Sequence, residues 1–221
     1  MVKNPIIKGV VAVKEKQVEQ TIIDAAIKVF VDKGKDGARM QEIADLAGVN
    51  KMLLHYYFVD KDTLFLEVIR RVSSDLYENV IEKSIQEKKF KDFLSTFIDR
   101  HFDYLDTKKE TFQFLLWELS RKHFDLHDLL RNMYGTNREN PYEILCDRIN
   151  DAIRTKEIRK VDPKEFIMNL FSLDLFLFLS YPVIREIVPL NGEPLSIEIE
   201  QRKKEVFRLL WNDIKNEQDG K

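Results

Sequence analysis

The chain has 221 residues, 44% hydrophobic and 33% charged, with a formal net charge of −2. That balance excludes a disordered chain, and the length allows one good core with a small satellite domain. Seven glycines and six prolines are too few for a sandwich of short strands, which needs frequent turn residues, so the fold class is all-α.

Residues 1–13 read as an irregular N-terminal tail carrying Lys3 and Lys8. From about Lys14 to Lys33, Val18, Ile22, Ala25, Ala26, Val29 and Phe30 recur at helical spacing, and Gly34–Gly37 reads as a turn. Two short helices follow, Arg39–Ala47 and Asn50–Tyr57. Gly48 stands where the first must end and the chain reverse, a place for a residue that tolerates positive φ. Asn50 is placed to cap the next helix by accepting a backbone N–H. Ile43, Ala44, Leu46, Ala47, Val49, Leu54 and Phe58 then meet on the inner faces, the pattern of a helix-turn-helix within a domain bounded at 14–60.

Asp60 opens a fourth helix whose apolar residues run through Leu64, Val68, Val72, Leu76, Val80 and Ile85. It spans roughly 25 residues, or nearly 40 Å at 1.5 Å per residue. No Gly or Pro interrupts it, so it links the motif stiffly to a second helical region, 61–217, ahead of a short tail at 218–221. Helical patterns cover about Phe90–Asp106, Glu110–Ser120, Asp125–Tyr134 and Pro141–Lys156. Asp162-Pro163 caps a helix over Lys164–Ser180, which Pro182 kinks or ends. Asn191–Pro194 reads as a loop, and Ser196 caps a last helix to about Lys215.

Lys51, Met52, Leu53, His55 and Tyr56 are left on the outward face of the second short helix. A cation, an imidazole, a phenol and two apolar side chains suit a major-groove reader better than a solvated surface. Lys51 and Met52 lie in the first turn, where Lys51 can reach guanine O6 and N7, and Met52 and Leu53 thymine methyls. Near the far end, His55 and Tyr57 can donate to phosphates. Lys61 joins them with the free N–H groups of the fourth helix, and Arg39 stands just ahead of the motif. Tyr56 is open between reader and core, and Asn50 reads as a cap before a base contact. Residues 1–61 carry ten Lys/Arg against eight Asp/Glu, so the basic excess is mild and local geometry must carry the inference.

The pairs Ile43-Ala44 and Tyr57-Phe58, the run Ala47-Gly48-Val49, Leu54, and Lys61 followed by Leu64 resemble the DNA-binding region of the TetR family (TetR/AcrR-like). The resemblance covers about residues 14–70. Three places depart from the family's usual residues: Arg39 for Thr, Met52-Leu53 for Gly-Thr, and His55 for Tyr. The resemblance implies an N-terminal three-helix DNA-binding domain and a C-terminal helical domain that binds an effector and dimerises. It further implies a homodimeric regulator, most often a repressor, on a two-fold symmetric operator in double-stranded DNA, released by a small molecule.

The family commonly holds that molecule among its C-terminal helices, which implies a largely apolar pocket with a few polar anchors. Phe102, Phe171 and Phe178 are candidate walls, and Trp117, Glu118, Arg121, Tyr134 and Asp174 candidate anchors. Asp174 lies within the apolar run Leu170–Leu179, where a carboxylate must be paired, protonated or solvent-facing. Phe166, Leu170, Leu173 and Leu177, with Val206, Phe207, Leu210 and Trp211, make two broad apolar faces, the expected four-helix interface of a dimer.

Signals for catalysis are missing: there is no phosphate-cradling glycine loop and no nucleophile elbow, so no enzyme and no cofactor are expected. His123 and His127 sit at i,i+4 without the intervening Glu of a zinc protease, and read as surface histidines rather than a metal site. Cys146 is alone and reads as a small buried residue. Neither a signal peptide nor a transmembrane span is expected, since Leu170–Tyr181 is short and contains Asp174, which points to the cytoplasm.

Overall fold

The computed structural model describes residues 5–121, 140–187 and 195–216, with the backbone alone at 5–14, 181, 182, 185, 195 and 196. All its described elements are helical apart from one isolated antiparallel bridge, Ile158 to Lys215. Helix α1 covers Pro5–Gly37, interrupted at Gly34 (φ 71°, ψ 166°). Its start lies well before the expected Lys14, so most of the residues read as an irregular tail are helical. Pro5 is compatible with a first turn, because the N–H it lacks would have no helical partner there. The two short helices are α2 (Met40–Ala47) and α3 (Lys51–Tyr57). Helix α4 (Lys61–Leu76) runs on through a π-turn at Tyr77–Ile81 and a last α-turn at Glu82–Ser84.

Two helices expected over 90–120 are one, α5 (Phe90–Ser120), with a kink at Lys108 (φ −118°, ψ 19°). Nothing between Asp106 and Glu110 breaks a helix outright, so the irregularity stays within one residue. Helices α6 (Pro141–Arg154), α7 (Pro163–Ile187) and α8 (Leu195–Ile214) follow. The helix expected over Asp125–Tyr134 and the loop Asn191–Pro194 lie outside the described residues, as does the tail 218–221. Pro182 does not end α7, which continues to Ile187.

Two compact units emerge. The first comprises Met1–Ser73 and Glu110–Leu129; the second, Ser74–Lys109 and Leu130–Lys221. The first reaches beyond the expected boundary at residue 60, because the apolar face of α4 is part of its core: Leu64, Phe65, Val68, Ile69 and Val72 are all buried. With them are Ile22, Ala26 and Phe30 of α1, Ile43 and Ala44 of α2, and Leu54 of α3. The end of α5 adds Phe114, which stacks on Phe30 at 6.1 Å and meets Phe65 edge-on at 5.9 Å. Each fully buried phenylalanine contributes about 1.5–3 kcal/mol by removal from water.

In the second unit an aromatic row runs along α5. Phe90, Phe93, Phe97 and His101 have successive ring centroids 5.3, 6.0 and 5.5 Å apart. Phe166 and Phe171 of α7 pack against it. The Arg159 N–H donates to the Ile214 carbonyl at 2.8 Å, tying the α6–α7 connection to the end of α8. Cys146 is free and half-buried.

Candidate nucleic-acid interface

The turn between α2 and α3 is built on Gly48, whose φ of 68° is left-handed. Its N–H donates to the Asp45 carbonyl at 3.2 Å and the Val49 N–H to Ala44 at 3.0 Å, which closes α2. Asn50 then caps α3: its Oδ1 accepts the Leu53 N–H at 2.8 Å. Asp60 repeats the device for α4, accepting the Thr63 N–H at 2.7 Å. That backbone bond is the chief reason its carboxyl is held below the usual range. Asn50 thus fixes the first turn of α3, the Phe58 N–H donates to the Leu54 carbonyl at 2.8 Å at its far end, and Leu54 and Phe58 anchor its inner side.

Outward, the helix presents Lys51, Met52, His55 and Tyr56. Met52 is 83% exposed and Tyr56 75%, high values for apolar and aromatic side chains. Leu53 and Tyr57 are half-buried. The Tyr57 ring lies 5.4 Å from that of Tyr56 and 6.4 Å from that of Phe58. Desolvation, then the negative fields of Glu15, Tyr56 and Glu19, raises the Tyr57 phenol above its ordinary range, so it remains a hydrogen-bond donor at neutral pH. His55 Nδ1 lies 3.0 Å from the Val59 carbonyl, which accepts its hydrogen in the Nδ1-protonated tautomer.

The remaining cations divide. Arg39 is exposed at the head of α2 and makes no side-chain cap. Lys61 is half-buried, and its ammonium donates to the carbonyls of Asp36 at 2.9 Å and Ala38 at 3.1 Å. It braces the α1–α2 turn, with one N–H left over for a phosphate. Lys35 is likewise committed: its Nζ bonds Asp62 at 2.7 Å and lies 5.1 Å from the centre of the Phe65 ring.

The described candidate pocket residues fall into two groups, one in each unit. Trp117, Glu118 and Arg121 line an open cleft of about 530 Å³ in the first unit. Phe102, Phe171, Asp174 and Phe178 belong to the second, where Phe102 and Phe178 pack with centroids 5.7 Å apart. Asp174 is wholly buried, with Oδ2 2.9 Å from His101 Nδ1. Its Oδ1 has no hydrogen-bond partner among the described residues. Burial, more than any other cause, pushes its carboxyl up, against the lowering effect of His101. Tyr134, like His123 and His127, lies outside the described residues.

Of the eight residues expected at a dimer face, Phe166, Leu170, Val206 and Leu210 are buried within their own unit. Leu173, Leu177, Phe207 and Trp211 are half-buried, and the last two stack at 6.3 Å. The outward apolar stripe of α7 is a different one, missed in the sequence reading: Met168, Phe176, Leu179, Val183 and Ile187 are all exposed. Its i,i+3 and i,i+4 spacing was there to be found. With two apolar stripes on one helix, though, the spacing alone does not say which faces inward. Among the described residues no three metal-ligating side chains converge, and no helix is long and apolar enough to cross a membrane.

A capped helix with a cation and exposed aromatic and apolar side chains in its two turns is the arrangement that the second helix of a DNA-binding helix-turn-helix requires. Residues 22–68 match the family model for bacterial regulatory proteins of the tetR family. That match spans the helix-turn-helix region and the start of α4, so it is this part of the chain that is similar to the tetR family. It is 31% identical over 94 residues to the transcriptional activator FasR of Mycolicibacterium smegmatis, covering 42% of this chain and 43% of that protein. It is 36% identical over 64 residues to the transcriptional repressor NicS of Pseudomonas putida, covering 29% of this chain and 30% of that one. The matches thus span less than half the length of these curated relatives. In fold the likeness extends further: the regulator FadR from Bacillus subtilis, solved with stearoyl-CoA, superposes with a TM-score of 0.68 at 19% identity, covering 86% of this chain and 96% of that one.

Proposed function

We propose that the chain is a homodimeric, ligand-responsive repressor that binds a two-fold symmetric operator in double-stranded DNA, working in the cytoplasm. The observation that carries this reading is the outward face of α3. A fixed helix shows Lys51, Met52, His55 and Tyr56 to solvent, and such exposure has no folding benefit to offset it. Lys51 and Met52 enter deepest and read base edges. Tyr57, Arg39 and the spare N–H of Lys61 set the register on phosphates, joined by His55 Nε2 when the imidazole carries both protons.

One seven-residue reading helix gives weak affinity, so two are needed. The exposed stripe Met168, Phe176, Leu179, Val183 and Ile187, together with Ile197 and Leu209 of α8, is the surface we assign to the second copy. A dimer seated on a promoter blocks transcription by occupancy alone, so repression needs no further surface. An effector that favours a conformer with the heads out of register would loosen the complex. Allosteric coupling of about 1–3 kcal/mol corresponds to roughly 5- to 150-fold in affinity.

The test is selection of bound duplexes from a random pool, followed by titration of the winner across salt concentrations. The reading expects a palindromic site with half-sites about one helical turn apart, and affinity falling steeply with salt. A pool that yields no enriched site from folded protein would overturn it.

A further inference from the structure

We propose that the open cleft beside the α1–α2 turn is a binding site for a planar organic cation. The proposal rests on the reading of the chain as a ligand-responsive regulator, and it places an effector site inside the DNA-binding unit.

The cleft is about 530 Å³, ample for a bicyclic aromatic ring system, and it opens between the end of α1 and the last turns of α5. Phe114 forms an apolar floor, held by its stacking on Phe30. Trp117 is 65% exposed, a large indole left at the rim with one face for a flat ligand. Stacking and the attraction of a cation to the indole quadrupole both act there.

The sign of the ligand follows from the carboxylates. Glu118 lies in the cleft only 2% exposed, with Oε1 accepting the Lys35 N–H at 3.1 Å. Gly34 lies beside it: a Cβ there would be in ordinary van der Waals contact with that oxygen, at 3.6 Å. Asp36 and Glu110 also line the cleft, against Lys33 and Arg121. Lys33 is already bonded to Glu42 at 3.0 Å, so Asp36 and Glu118 have only the one guanidinium of Arg121 to share among the lining cations, and one carboxylate charge is in excess. Arg121 Nη1 stands 3.9 Å from Glu118 Oε1, beyond hydrogen-bond distance, while its Nη2 is 3.3 Å from Asp36 Oδ2. A ligand cation over Trp117 meets Glu118 as a charge not yet closely paired by any side chain that the geometry above places beside it. A carboxylate ligand meets Asp36 and Glu118, which share one guanidinium.

Position gives the site its consequence. Gly34 and Asp36 belong to the turn whose carbonyls at Asp36 and Ala38 hold the Lys61 ammonium, and α2 starts at Met40. An occupant drawing on Asp36 therefore acts on the turn that seats the helix-turn-helix.

The experiment uses the full chain with Trp211→Phe, which leaves Trp117 as its sole tryptophan. The probes are N-methylquinolinium, neutral quinoline and quinoline-2-carboxylate at mildly alkaline pH, with Trp117 fluorescence as the readout. Saturable quenching by the cation is expected, at least about tenfold tighter than by either analogue, and weakened about tenfold by Glu118→Gln. Asp36→Asn provides a second, surface variant should Glu118→Gln unfold, and it is expected to weaken the cation as well. Quenching without saturation, equal affinity for the three probes, or affinity unchanged in the folded variants overturns the site. Operator binding is measured separately without probe. A chain that binds DNA but not the cation loses this site and keeps the regulator reading. One that takes the cation but no DNA keeps the site and loses that reading.

Discussion

Asn50 Oδ1 is occupied by the Leu53 N–H before any base edge arrives, so its first duty is to the helix. Asn50→Ala should lower stability by about 1 kcal/mol and Asn50→Gly by only a few tenths, read from denaturant unfolding. Lys51 has no such duty, and Lys51→Ala should leave stability unchanged. If it meets a phosphate, the salt slope of operator binding falls by about one. If it meets guanine, discrimination at one base pair relaxes by about 1–3 kcal/mol. Asp174 makes a pH prediction. Its pKa is raised on folding, so its contribution to stability is full below the unfolded carboxylate range and is lost as pH rises through the folded value. Melting temperatures of the native chain and of Asp174→Asn, compared from acid to neutral pH, should therefore shift in favour of the variant as pH rises. A constant difference would contradict this.

At the scale of the element, the α2–α3 turn depends on one left-handed residue. A Cβ on Gly48 would meet nothing within 4 Å, so Gly48→Ala tests backbone strain free of any clash. We expect a loss of about 1–2 kcal/mol in chemical unfolding, and a smaller one for Asn, which tolerates that conformation. The motif was legible because each step is local. Gly48 closes α2 on Asp45 and Ala44, and Asn50 opens α3 three residues before its partner. What stayed hidden is long-range. The Glu118 side chain meets the Lys35 backbone across 83 positions, and Lys61 meets Asp36 across 25. A sequence offers a lysine at the start of a helix to solvent, to phosphate or to a neighbouring carbonyl alike, and the tertiary fold decides.

For the whole molecule the open question is how an apolar stripe on α7 is covered. Phe176 and Val183 lie on it, both exposed, so replacing both by Glu should leave each unit's core intact. We expect sedimentation to shift from dimer to monomer, with operator affinity falling at least about a hundredfold as the second reading head is lost. A double variant that remains dimeric would place the interface elsewhere. All-α architecture could be read from periodicity and from the scarcity of glycine and proline. Division into units could not, because Glu110–Ser120 joins the first through partners distant in sequence, such as those of Phe114 and Glu118.

Lys61 makes a genetic screen ambiguous. Selected for loss of operator binding, variants at Lys51 and at Lys61 would be recovered side by side, yet the first would have lost a contact alone and the second a brace as well. Two cheap measurements on the same plate separate them: Lys51→Ala should change the response to salt at unchanged melting temperature, whereas Lys61→Ala should melt earlier. An arginine at 61 would retain the charge without the compact ammonium that two carbonyls share, so it should rescue little of that brace. A substitution table scored on charge alone would call that change silent.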